Sequence, residues 1–137
     1  MNMDMEIFLG ENQRVDAHYK GFVISSDQPV GAGGDNSAPA PFDLFLASIG
    51  TCAGYYVKAY CQQRNLPDQG IRLVQKMHRN KETRMISAIE INIIVPADFP
   101  ERHREPLIKA ANACAVKKHI ANAPEFIVNT LSEKNHG

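Results

Sequence analysis

Between Asp43 and Lys58 the chain runs for fourteen residues, Leu44 to Val57, without a charged side chain. From Phe42 to Arg64 the apolar residues Leu44, Phe45, Leu46, Ala47, Ile49, Cys52, Ala53, Tyr55, Tyr56, Val57, Ala59 and Tyr60 occupy nearly every face at ~100° per residue. That pattern predicts a helix buried on all sides, so other parts of the fold must wrap it. Fourteen residues fall short of the ~20 apolar residues that span a bilayer, so this is a core helix and no membrane partner is expected. The 137 residues suffice for one domain, 1–137, that buries about two-thirds of its unfolded surface.

On either side of this helix the periodicity changes. Residues 5–27 contain alternating runs separated by Gly10-Glu11-Asn12-Gln13, which predicts an opening hairpin. Residues 28–41 hold Gly31, Gly33, Gly34 and three prolines without apolar periodicity, a loop expected to be mobile at its tip. Ile89, Ile91, Ile93 and Val95 alternate after a turn at Asn80-Lys81-Glu82, which predicts a second hairpin. Pro106 suits the first position of a helix running through Cys114 to Asn122, and Pro124 then releases a terminal strand, Glu125–Leu131. Segregated strands and helices make the class α+β with antiparallel sheets, not a parallel doubly wound sheet.

Charge and cysteine usage narrow the partners. Fifteen basic against fifteen acidic residues give a net charge of zero, which denies the chain the positive field used by nucleic-acid binders. The start, MNMDMEIFLGENQ, carries acids where a secretory signal would carry bases. Three cysteines, an odd number, form no disulfide framework and suit a reducing compartment, so a cytoplasmic location is expected. The glycine cluster lacks both the Gly-Lys-Ser/Thr ending and the G-x-G-x-x-G spacing of phosphate loops. There is no C-x-x-C, and the five histidines are scattered, so neither a metal nor a cofactor is expected.

The cysteines remain as the chemistry-bearing residues. Cys52 lies ten residues beyond Phe42, out of reach of the dipole at its own helix start, and Leu44–Val57 holds no Lys or Arg. A cation that stabilises its thiolate must therefore come from another segment or a second subunit. Cys61, nine positions on, lies on the opposite helix face and cannot bridge to Cys52. Cys114 sits among small residues in the second helical segment. A close helix approach that joins it to Cys52 and simple core packing both suit the sequence.

Two stretches, Ala-Pro-Ala-Pro-Phe-Asp-Leu-Phe-Leu-Ala-Ser-Ile-Gly-Thr-Cys-Ala at 38–53 and Ala-Asn-Ala-Cys-Ala-Val at 111–116, resemble the OsmC/Ohr family of osmotically inducible and organic hydroperoxide resistance proteins. The resemblance implies an intertwined homodimer with antiparallel sheets around long buried central helices. It implies a thiol peroxidase, with Cys52 as the peroxidatic thiol and Cys114 as the resolving thiol that forms a disulfide with it. An organic hydroperoxide is then the substrate and an external dithiol, of the lipoyl type among others, the reductant. An arginine from the first strands would steady the thiolate, held by an acid at the start of the cysteine helix; Arg14 and Asp43 match these roles. The chain departs from the pattern in two places. Phe42 follows Pro41, so the acid comes one position later, and Ala115 stands where many relatives have proline. These departures leave a second reading, a redox sensor or binder of small apolar ligands without turnover. An apolar site bounded by Phe42, Phe45, Tyr55 and Tyr56 is expected in either case.

Overall fold

Alternation in the first segment produces three strands, not a single hairpin. In the computed structural model, which describes residues 4–133, β1 (Glu6–Leu9), β2 (Val15–Tyr19) and β3 (Phe22–Ser26) form an antiparallel meander. The unexpected second turn is Lys20-Gly21, whose φ angles of 51° and 82° close a two-residue connection with the twist a hairpin requires. The register pairs Ile7 with Ala17 and Ala17 with Ile24, and Leu9 with Val15. Ile7, Leu9, Val15, Ala17, Tyr19, Phe22 and Ile24 therefore share one face, and its residues Ile7, Leu9, Phe22 and Ile24 are exposed.

The loop after β3 is tied down more than its composition suggests. It carries one 3-10 turn at Val30–Ala32 and closes back on itself through Asn36 N–H to Gln28 O at 3.0 Å and Gly34 N–H to Pro29 O at 3.1 Å. Gly34 is required there, because a Cβ would collide with the Gln28 carbonyl.

The central helix, α1, spans Pro41–Gln63, with Pro41 in its first position. Its buried residues Leu46, Ile49, Ala53, Val57, Tyr60 and Cys61 recur three or four apart and form a single stripe. Within one chain the helix is thus covered on one side only, and Phe42, Phe45 and Tyr55 are exposed, unlike the all-round burial expected. Part of the cover is the antiparallel pair β4 (Arg72–Arg79) and β5 (Ile86–Ile94), joined by a turn in which Asn80 Oδ1 accepts from Glu82 N–H at 2.9 Å and Thr83 N–H at 3.0 Å; the helices that follow supply the rest. Gln75 of β4 donates to the Leu46 carbonyl at 3.0 Å and so fixes the sheet against the helix.

Two helices replace the one expected after Pro106. The first, α2, spans Arg104–Ala111 and starts two residues before the proline; the second, α3, spans Ala115–Ala121. The break falls at 112–114 because Cys114 takes a non-helical backbone (φ −56°, ψ 125°), and its sulfur accepts the Lys117 N–H at 3.4 Å as a cap. Leu107 of α2 closes the core with Val57, Tyr60, Cys61 and Phe99. Below it, Tyr60 Oη and His103 Nδ1 are hydrogen-bonded at 2.7 Å, and the Arg64 guanidinium lies 3.8 Å from the Tyr60 ring centre.

Glu125–Leu131, expected as a strand, forms no regular structure and pairs with no strand among the described residues. Phe126, Ile127, Val128 and Leu131 are exposed. A short apolar run alone does not make a strand when no sheet edge lies alongside.

Candidate functional site

Packing of α3 against α1 sets the site. Cys52 is half-buried midway along α1, one turn after Ser48 and next to the buried Ala53. Its sulfur meets the first turn of α3. The strongest influence on it is the Val116 backbone N–H, with the Cys114 side chain and the Ala115 N–H acting in the same sense. Burial opposes them, but the donors prevail and hold the Cys52 thiol below its ordinary 9.0. The expected cation is not among these influences; the donors come from another segment but are amides at a helix start, where partial positive charge gathers.

Cys114 is buried and serves two functions at this point, capping α3 and facing Cys52. The two thiols expected to form a pair are brought together. Cys61 lies apart in the core, wholly buried; burial raises its pKa first, Asp68 adds to the rise and Lys58 offsets part of it. It is a packing residue with a poor nucleophile.

Arg14 and Asp43 stand elsewhere in the chain. Arg14 follows the first turn, with Nη1 donating to Ser37 Oγ at 2.7 Å and Nη2 to Asp16 Oδ1 at 3.4 Å. Asp43 is exposed in the first turn of α1, where the helix dipole favours a carboxylate. Nine residues of helix, ~13 Å, separate it from Cys52.

A cavity of about 680 Å³ opens beside Cys114, walled by Ile49 and Ala53 of α1, Ile91 and Ile93 of β5, and Lys117 of α3. The expected aromatic wall is not its lining. Of Phe42, Phe45, Tyr55 and Tyr56, Phe45 lines a second apolar pocket of about 510 Å³, shared with Val116, His119 and Phe126. Sequence reasoning missed the α3 amides, whose one available signal was Asn112 as a helix stop. It also passed over Asp27, since the burial of a carboxylate leaves no mark on local periodicity.

Residues 34–129 match the protein family described as OsmC-like protein. Among solved structures, the chain is similar to an osmotic stress induced and detoxification response protein from Psychrobacter arcticus 273-4, at 19% identity and TM-score 0.71, covering 86% of this chain and 87% of that one. It is similar to an OsmC-like protein from Mycoplasma pneumoniae, at 12% identity and TM-score 0.68, covering 90% and 89%. An organic hydroperoxide resistance protein OsmC from Legionella pneumophila follows at 14% identity and TM-score 0.53, covering 88% and 89%. Nothing among curated proteins matches the chain.

Proposed function

Because this chain belongs to the OsmC-like protein family, we propose that it is a thiol-dependent peroxidase that reduces organic hydroperoxides. The observation that carries this reading is the meeting of Cys52, its pKa lowered by amide donors, with Cys114 at the start of α3. The Cys52 thiolate attacks the distal oxygen of the hydroperoxide. The O–O bond breaks, the sulfur keeps the hydroxyl as a sulfenic acid, and the alkoxide takes a proton from solvent and leaves as the alcohol. The Cys114 sulfur then displaces the hydroxyl, a disulfide forms, and the hydroxyl departs with the Cys114 proton as water. An external dithiol, for which a lipoyl group is one source, reduces the disulfide by exchange and is itself oxidised to a disulfide. The described role of the Legionella pneumophila neighbour supports this chemistry.

The working unit is a cytoplasmic homodimer. One apolar face of the meander, the outer side of α1 and the segment around Phe126 are all exposed in one chain, which supports their burial against a second copy. In that assembly Arg14 of one copy steadies the Cys52 thiolate of the other, and Asp43 acts across the interface. Three free cysteines suit a reducing compartment. One observation favours the second reading, a sensor or binder without turnover: the isoleucine-walled cavity is large enough for a ligand beyond the peroxide group itself.

Peptide mass spectrometry after one equivalent of cumene hydroperoxide decides between them. Rapid formation of a Cys52–Cys114 disulfide, absent in Cys52→Ser and reversed by a dithiol, supports the peroxidase. Unchanged thiols refute it.

A further inference from the structure

Asp27 is a carboxylate with no exposed surface, in a chain whose buried side chains are almost all apolar. A buried charge persists only when its lone pairs are met. Oδ1 accepts the Gln28 N–H at 2.7 Å, and Oδ2 accepts both the Ser37 N–H at 2.9 Å and the Ser37 hydroxyl at 2.6 Å. These donors, the Ser37 hydroxyl first, hold the carboxyl down at about 2, so it is charged under all ordinary conditions.

The proposed reaction makes no direct use of this group. Its outward connection runs through Ser37. That hydroxyl has one proton, which goes to Asp27, so toward Arg14 it can only accept, and Arg14 Nη1 lies 2.7 Å away. A hydroxyl that donates to an anion is a stronger acceptor for a cation, because the bonds polarise one another. Asp16 takes a second guanidinium proton through Nη2 at 3.4 Å. Among the described residues, three of the five guanidinium N–H groups remain for another acceptor.

We propose that Ser37 and Asp27 are positioning residues for Arg14: a buried carboxylate, acting through one hydroxyl, fixes the guanidinium so that its free donors face the thiolate of a second copy. The inference rests on the reading above that Arg14 steadies Cys52. The loop is shaped for this task. Its close return over Asp27 needs Gly34, where a Cβ would meet the Gln28 carbonyl and lie 2.9 Å from Asp27 Oδ1. Asp43, the acid expected to hold the arginine, is exposed in the first turn of α1, whereas Ser37 and Asp16 hold it in this chain.

The test compares Arg14→Gln, Ser37→Ala, Ser37→Thr and Asp27→Asn in the full chain. Cys52 alkylation by iodoacetamide is followed against pH by peptide mass spectrometry, together with the rate of oxidation by cumene hydroperoxide. Ser37→Ala should move the alkylation midpoint to higher pH and slow oxidation about tenfold, in the same direction as Arg14→Gln. Ser37→Thr, which keeps the hydroxyl, should restore both. If Arg14→Gln moves the midpoint and Ser37→Ala does not, the inference is overturned while the role of Arg14 stands. If Arg14→Gln leaves the midpoint in place, the reading of Arg14 falls and the inference with it. Should Asp27→Asn fail to fold, the Ser37 pair alone decides the matter.

Discussion

The Val116 backbone N–H is directed at the Cys52 sulfur two residues after Cys114, which caps the same helix through the Lys117 N–H. One helix start therefore serves two sulfurs. The arrangement needs no cation within the chain to favour a thiolate at Cys52, since the first-turn amides already have no intrahelical partner.

Cys52 should accordingly ionise at lower pH in the native protein than in urea. Alkylation of native Cys52 should show its midpoint below the ordinary 9.0, and the unfolded chain should return to it. A lowered folded pKa means the linked stability is full above the unfolded value and is lost as pH falls through the folded one. A native midpoint at or above that of the unfolded chain would remove the basis for activation by α3.

Removing Cys114 should separate capping from resolution. Ser at this position keeps an acceptor for the Lys117 N–H, whereas Ala loses it at a cost of about 1 kcal/mol. Both variants should trap Cys52 as a sulfenic acid after one equivalent of peroxide, and only Cys114→Ala should melt measurably lower than the parent. Dimedone labelling and calorimetry on the two variants check this.

Acid should reveal the Asp27 anchor. Its carboxyl sits at about 2 when folded against 3.8 ordinarily, so the unfolded chain binds more protons between these values. Its contribution is fully present above the unfolded value and fades as pH falls toward the folded one. Urea midpoints measured across that window should fall steeply in the parent and less steeply in Asp27→Asn, which should already be the less stable protein near neutral pH.

In the core, Leu107 is 1% exposed and touches the cluster of Val57, Tyr60, Cys61 and Phe99. Leu107→Ala should cost about 2–5 kcal/mol in urea unfolding, through lost transfer energy and the cavity left behind. Cys61→Ala, a smaller deletion at a wholly buried site, should cost less and leave peroxide oxidation of Cys52 unchanged.

Leu9 offers a test of assembly. It is 84% exposed on the apolar face of the meander, so in a lone chain Leu9→Asp should be nearly neutral. In the proposed dimer the same change buries a charge, and sedimentation should show dissociation with loss of peroxide reduction. A dimer that persists with full activity would place the interface elsewhere.

Much of this was legible from periodicity. The central helix was expected from 42 to 64 and spans Pro41–Gln63, because fourteen uncharged residues leave little else to form. The β4–β5 hairpin followed from alternating isoleucines. The pairing of Cys52 with Cys114 came from a family resemblance, since nothing in local spacing brings two helices together. What escaped notice depended on partners distant in sequence. Asn112, Ala113 and Cys114 have no strong helix breaker among them, yet the sulfur cap splits the helix there. Glu125–Leu131 has the β-favouring apolar residues of a strand but no edge beside it among the described residues. Asp27 reads as an ordinary turn acid until Ser37 folds over it.

Every described ladder joins strands consecutive in the sequence: β1 with β2, β2 with β3 and β4 with β5. Closing such short loops is fast and entropically cheap. The meander and the helix-backed hairpin can each form early, with the Leu9 and Ile24 face still in water. In the proposed dimer the last stage of folding is then a bimolecular encounter. Its rate should rise with chain concentration, and at high dilution a partly folded, adhesive chain should persist.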